Sequence, residues 1–276
     1  MNSDSPVFQV EGTLGRPGEL GIELRGFPGE FFTLWLPENV WRDLPGCEEL
    51  SGPQSGPAAY RANAVFGMDS SKEWQETSWG RTEEGGVFRT VQFADGFVSA
   101  AATPVRNEVL LEVTVTNTTS QTWLDCWAEV CLRLAPSRSF ADTLRERTLG
   151  RIGGRWTLLG STPPARPDPA QNMYVATPAI AFVERCLRDW WCAEFPVKLD
   201  HPLVAVQNRD DSAVLGVLLD PCAGYCNCLK PDMACIHSDP LLGEIEPGAT
   251  KTALGKLVYV EGSVRDFVET ASAMRV

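Results

Sequence analysis

The chain has 276 residues, 43% of them apolar, with 24 Lys and Arg against 36 Asp and Glu for a net charge of −12. A chain of this size can bury about three quarters of the surface it exposes when unfolded, so a core needs no disulfide or metal staple. The acidic residues are spread along the chain, which argues against nucleic acid, since binding phosphates needs clustered Lys and Arg; no run approaches the ~20 apolar residues of a membrane span.

The first residues, Met1 to Pro6, have neither a basic start nor an apolar core, so no secretory signal is read there and a cytoplasmic protein with reduced thiols is expected; a chain trimmed of its signal would look the same. Phe31 to Leu36 is an apolar, β-favouring run that Pro37 is expected to stop, with Glu38 to Leu44 as a helical turn. Gly52 to Pro57 reads as a loop, and Gly86 to Phe93 alternates, with Val87, Val91 and Phe93 on one face. Glu108 to Asn117 is the cleanest strand: Val109, Leu111, Val113 and Val115 share one side. Asn117 to Ser120 supplies turn chemistry, and Thr122 to Leu132 alternates again, so the two runs read as a hairpin. In the second run Leu124, Cys126, Ala128, Val130 and Leu132 are expected on one face, with Trp123, Asp125, Trp127 and Glu129 on the other.

Phe140 to Arg147 reads as a possible single helical turn. Further strands are expected over Arg151–Leu159, Tyr174–Val183, Leu203–Gln207, Ala213–Leu219 and Lys251–Val260, with a proline-rich loop from Gly160 to Gln171. Ser263 followed by Asp266 and an apolar stripe predicts a terminal helix over Ser263–Met274. Many short strands and few helices predict an all-β fold: one large two-layer antiparallel β-sandwich over residues 1–276 with a short C-terminal helix. Two domains divided near the proline loop are the alternative.

Chemistry concentrates between Asp220 and Glu261. Four of the nine cysteines (Cys222, Cys226, Cys228, Cys235) and one of the two histidines, His237, fall close together there, with Asp239 beside them. Histidine is the natural proton carrier near neutral pH, and Asp239 two residues on can face the same cleft, which makes His237 and Asp239 the first acid–base candidates. The other histidine, His201, precedes Pro202 at a turn and reads as structural. Cys226, Cys228, Cys235 and His237 are enough soft ligands for a tetrahedral zinc, but the spacing departs from the usual Cys-x2–4-Cys pairs; buried thiols are favoured and no metal or other cofactor is expected. Cys126, Cys131, Cys186 and Cys192 sit among apolar residues and read as core fillers.

Nine tryptophans are many for this length, and aromatic faces next to acids and Arg suit sugars. Trp74, Trp79, Arg81 and Trp127 are the candidate substrate-binding residues. Glu129 and Glu261 are the candidate partners of His237 in proton transfer, since glycoside chemistry needs paired carboxylates. The absence of Gly-x-Ser-x-Gly, a nucleotide loop or His-Glu-x-x-His argues against serine-esterase, nucleotide and zincin chemistry. Asn117-Thr118-Thr119 matches a glycosylation sequon.

Three stretches carry a resemblance: Val109 to Thr118, Cys235-Ile236-His237-Ser238-Asp239-Pro240, and Glu246-Pro247-Gly248 leading to Gly255 to Gly262. In their order they resemble the galactose-mutarotase-like β-supersandwich superfamily, in particular bacterial proteins built on that scaffold. The resemblance implies a concave sheet face that binds a carbohydrate or other small polar ligand, with a histidine acid and a glutamate base as in mutarotases. This chain has too few histidines for the usual mutarotase pair, and no stretch matches the mutarotase histidine motifs. The expected function is a carbohydrate-active protein, with epimerase, lyase or hydrolase chemistry at His237. The alternatives are a non-catalytic sugar-binding or assembly module and a metal protein using the cysteines. The leading reading needs the imidazole at 237 to look into the trough.

Overall fold

A computed structural model of the protein describes residues 7–12, 18–25, 27–43, 64–67, 78–162, 171–176, 198–228 and 231–271. The strands are, in chain order, β1 (Phe8–Gly12), β2 (Glu19–Leu24), β3 (Phe31–Asp43), β4 (Ala64–Gly67), β5 (Gly80–Arg81), β6 (Val87–Phe93) and β7 (Gly96–Val105). They continue as β8 (Glu108–Asn117), β9 (Trp123–Arg133), β10 (Thr148–Ile152), β11 (Arg155–Leu158), β12 (Gln171–Ala176) and β13 (Lys198–Leu199). Then come β14 (Leu203–Gln207), β15 (Ala213–Asp220), β16 (Cys222–Cys228), β17 (Cys235–His237), β18 (Asp239–Ile245) and β19 (Thr250–Glu261), and the helix α1 (Val264–Ala271).

Among the described residues these strands form two sheets. The first runs β1-β2-β3-β9-β17-β16-β12-β13, with β4 paired to β3 and β18 to both β9 and β16. The second runs β11-β10-β14-β15-β19-β8-β7-β6-β5. Period-two alternation explains how they meet. Val109, Leu111, Val113 and Val115 of β8 are buried as their spacing predicts, while Leu110 between them is 46% exposed. Phe32, Leu34, Val40, Ala128, Val130 and Leu132 of the first sheet join them in one apolar cluster, so the core lies between the sheets. The architecture is the all-β sandwich with a C-terminal helix expected from the sequence.

Four local expectations are corrected or refined. Pro37 does not stop β3: the strand runs on to Asp43 through a cis Leu36–Pro37 peptide, with a register shift against β9 between Trp35 and Asn39, so Glu38 and Asn39 are strand and not helical turn. In β9 a bulge at Asp125, whose φ is +47, breaks the alternation. Gly243 and Ile245 of β18 pair with Cys126 and Trp123, so two steps on β18 span three on β9. Trp123 thereby joins Cys126 in the core and does not share the face of Trp127 and Glu129. Arg151–Leu159 is not one strand but part of a hairpin, β10–β11, turned at Gly153 and Gly154, both with the positive φ that two-residue hairpins require. No helical turn forms over Phe140–Arg147.

The helix begins as its cap predicts. Ser263 Oγ and N–H both donate to the Asp266 carboxylate at 2.7 Å, and the Asp266 N–H donates back to Ser263 Oγ at 3.4 Å. The helix lies over Val264–Ala271, and residues beyond 271 are outside the described part. The Gly52–Pro57 loop, most of the proline-rich loop, Cys186, Cys192 and the end of Tyr174–Val183 are also outside it.

Asn117 ties the β8–β9 turn to the β18–β19 turn. Its buried amide donates to the carbonyls of Gln121 (2.7 Å) and Ile245 (2.9 Å), and its Oδ1 accepts from the N–H (2.9 Å) and hydroxyl (2.7 Å) of Thr119. Its main chain bonds Ala249 O and Gly248 N–H, at the tip of the Pro247-Gly248 turn. With no exposed surface, this sequon asparagine offers no amide for a glycan. Replacing it by Ala strips four hydrogen bonds and leaves the Ile245 carbonyl without its partner. Asn117→Ala is therefore expected to lower stability by about 2–3 kcal/mol. Urea unfolding checks this, as a lower midpoint at unchanged slope; a loss under about 0.5 kcal/mol would show that the amide is not the tie.

Candidate functional site

Strand pairing assembles the polar group of the first sheet. Trp35 on β3, Cys131 on β9 and His237 on β17 are direct cross-strand partners, and Asn39 pairs with Glu129. Val130, Leu132 and Ile236 turn into the core, so alternation sends Glu129, Cys131, Cys235 and His237 to the face away from the second sheet. Ser238 faces inward, where its Oγ accepts the Leu219 N–H of the second sheet at 2.9 Å. Asp239, one residue on, comes out again on the side of His237. The result joins β3, β9, β17 and β18, segments about a hundred residues apart in the chain.

His237 is 8% exposed and Asp239 1%. The imidazole therefore does not open broadly onto a trough. Its Nδ1 lies 3.5 Å from Asp239 Oδ1, without a well-formed hydrogen bond. Asp239 Oδ1 accepts the Val130 N–H at 3.1 Å, and Oδ2 has no partner. Cys131 Sγ, Cys235 Sγ and a ring nitrogen of His237 lie within 4.8 Å of one another, all three residues buried. Trp35 packs against the two thiols. Glu129 is only half-buried, and Asn39 Nδ2 donates to its Oε2.

The electrostatics follow from this crowding. Burial pushes the Glu129 carboxyl up, to about 8, helped by the neighbouring Glu38 and Asp239 and opposed by His237 and the Asn39 hydrogen bond. Burial also raises Asp239, against the pull of His237 and the Val130 N–H. For His237 burial works downward, but the sulfurs of Cys131 and Cys235 beside it, with Asp239, lift it well above the ordinary histidine value. Chemically, the group holds a carboxyl that keeps its proton near neutrality at a partly open position, with buried charges behind it.

The other candidates lie elsewhere. Glu261 is exposed at the end of β19 in the second sheet, paired with Ala213, and is not brought to His237. Trp127 is 3% exposed and stacks on Trp41 at 6.0 Å between ring centroids, so it presents no open face. Trp79 is half-buried at the β5 edge of the second sheet, with the Arg89 guanidinium 4.9 Å over its ring. Arg81 on β5 is exposed, 3.4 Å from Glu11. Trp74 lies outside the described residues, as do the side chains of Cys226 and Cys228. His201 is structural as expected: its Nδ1 accepts the Leu203 N–H at 3.2 Å. Cys126 and Cys131 are both buried as expected of core fillers, Cys131 in a small cluster with Trp35 and Cys235 that also lies next to His237. Sequence reasoning also missed Glu38 and Asn39. Cys131 was within reach, because it keeps the alternation of Glu129 on the face opposite Val130; Glu38 and Asn39 were hidden by Pro37.

No protein-family model and no curated protein matches the sequence. Solved structures do. The chain is similar to the Slr1438 protein of Synechocystis at 10% identity, over 95% of this chain and 98% of that one, with a TM-score of 0.50. It is similar to a galactose mutarotase-like protein of Lactobacillus casei at 9% identity, over 93% and 100%, with a TM-score of 0.49. A galactose mutarotase related enzyme of Lactobacillus acidophilus follows at 8% identity, over 68% and 72%, with a TM-score of 0.38. At such identities what is shared is the fold, and the two-sheet architecture implied by the resemblance is the one this chain has in common with the Synechocystis protein.

Proposed function

We propose that the protein is a carbohydrate-active enzyme that transfers a proton from Glu129 to a saccharide lying against the outer face of the first sheet. The observation that carries this reading is the place of Glu129. It is a half-buried carboxyl at the open side of a polar group whose histidine, aspartate and cysteines are sealed, and Asn39 orients it. The resemblance read from Cys235–Pro240 and the closing strand supports a sheet face that binds a carbohydrate. Burial and the nearby carboxylates favour the protonated form, as general acid catalysis at neutral pH requires. Glu38, half-buried beside it, is the second carboxyl that such chemistry needs. His237 and Asp239 act through Glu129 as positioning residues, since little of their surface meets a solute.

Three assays cover the reaction types: polarimetry of aldose mutarotation, sugar release from glycosides, and unsaturated-uronate absorbance for a lyase. One is expected to report turnover, and Glu129→Gln, which keeps the shape and loses the proton, is expected to cut kcat/KM by about 10²–10⁴. A variant retaining full turnover would sink the role of Glu129. Sugar binding without product in all three would mean a binding module.

The state of Glu129 also shows without substrate. A carboxyl raised from 4.5 to about 8 on folding binds its proton in the folded chain and releases it in the unfolded one across that window. It therefore lowers stability as pH rises from about 4.5 to 8, by at most about 1.4 kcal/mol per pH unit. The gap between wild type and Glu129→Gln in urea, read between pH 5 and 7, is expected to shift in favour of the variant as pH rises. A gap that does not change with pH would show that Glu129 ionises normally.

A further inference from the structure

We propose that Cys131, Cys235 and His237 form a zinc-binding site on the first sheet, with Asp239 as the carboxylate behind the imidazole. The site needs no substrate and stands apart from the carbohydrate reading. The three ligand atoms lie within 4.8 Å of one another. Tetrahedral bonds of about 2.3 Å to sulfur and ~2.0 Å to nitrogen put ligand atoms ~3.5–3.8 Å apart, so small side-chain adjustments close the set. Cross-strand pairing, not loop geometry, holds it: Cys131 faces His237 directly, and Cys235 sits two residues before His237 on the same face of β17.

Two further observations point to a cation. His237 is more than nine-tenths buried, yet its Nδ1 has no hydrogen-bond partner. Asp239 Oδ2, more deeply buried, has none either. Buried polar atoms of this kind are costly unless something pairs them. Zinc on the other ring nitrogen leaves Nδ1–H to the Asp239 carboxylate 3.5 Å away, the arrangement by which carboxylates orient metal-bound histidines. Two thiolates and a neutral imidazole also match the softness that zinc favours over hard-oxygen ions. Zinc with two thiolates carries no net charge, so it can occupy this buried place without an extra counter-ion.

The set differs from the one spacing suggested. Cys131 comes from a strand about a hundred residues upstream of Cys226 and Cys228.

The test uses the full chain, purified with reductant, stripped by a chelator and titrated with zinc. One equivalent is expected to bind with a Kd below ~1 µM and to raise the melting temperature. Cobalt in its place is expected to give thiolate charge-transfer absorption in the near ultraviolet. Cys131→Ser and Cys235→Ser are each expected to weaken binding by at least ~100-fold, and Asp239→Asn by ~10–100-fold. Cys126→Ser, whose sulfur lies in the core between the sheets, is expected to bind as wild type. Circular dichroism checks that each variant is folded, and if Cys131→Ser unfolds, Cys235→Ser and the cobalt spectrum decide. Folded, reduced wild-type protein that takes up no zinc overturns the proposal. So do a Cys131–Cys235 disulfide that survives reductant, and full binding kept by folded Cys131→Ser. All these readouts report metal and not turnover, so they stand or fall separately from the proton-transfer reading.

Discussion

The polar group on the first sheet depends on the phase of β9. That strand is flanked by β3 on one side and by β17 and β18 on the other, so whichever residues it turns outward become the floor of the site. Asp125 sets the phase. Its left-handed backbone inserts an extra residue, after which Cys126, Ala128, Val130 and Leu132 face the core and Glu129 and Cys131 face out. Without the bulge, one of the two stretches around it would present the wrong side: either Trp123 would leave the core, or Glu129 and Cys131 would be driven into it.

The neighbours of β9 then determine what Glu129 and Cys131 meet. β3 brings Trp35 and, beyond its own irregularity at Pro37, Asn39 and Glu38. β17 brings Cys235 and His237, and the bond from Leu219 N–H holds Ser238 inward, so that Asp239 returns to the imidazole. The shared low-dielectric setting explains the opposed responses of these groups. Burial disfavours charge on all of them, but the carboxyls can answer by holding a proton, while the imidazole is lifted by Asp239 and the sulfurs of Cys131 and Cys235 beside it. A sheet face that keeps so many ionisable groups under cover is poorly explained by packing alone, which is why both the catalytic and the metal readings start there.

Much of the scaffold was legible in the chain. The alternation of Val109 to Val115 marked β8 with its bounds, Asn117 to Ser120 marked the turn after it, and Ser263 with Asp266 marked the start of the helix, because each is a local pattern with a local cause. His237, Asp239 and Glu129 were also picked out, and the structure does bring these three together. Glu261 was not brought with them, because a residue's place in a sheet depends on the strand's partners, and β19 pairs in the second sheet. The tryptophans misled for a related reason: a large ring is as useful to a core as to a sugar, and Trp127 is spent on Trp41.

By itself, then, the sequence determined the all-β class, β8 with the turn after it and the start of the helix, since side-chain alternation and turn residues act over a few positions. Only the tertiary structure decided that Cys131 stands with Cys235 and His237, and that Glu129 is half-buried where His237 and Asp239 are covered. Those outcomes rest on which strands become neighbours and on one backbone bulge and one strand continued through a proline. Such choices are made by the burial of the whole core, and no short stretch of residues carries them.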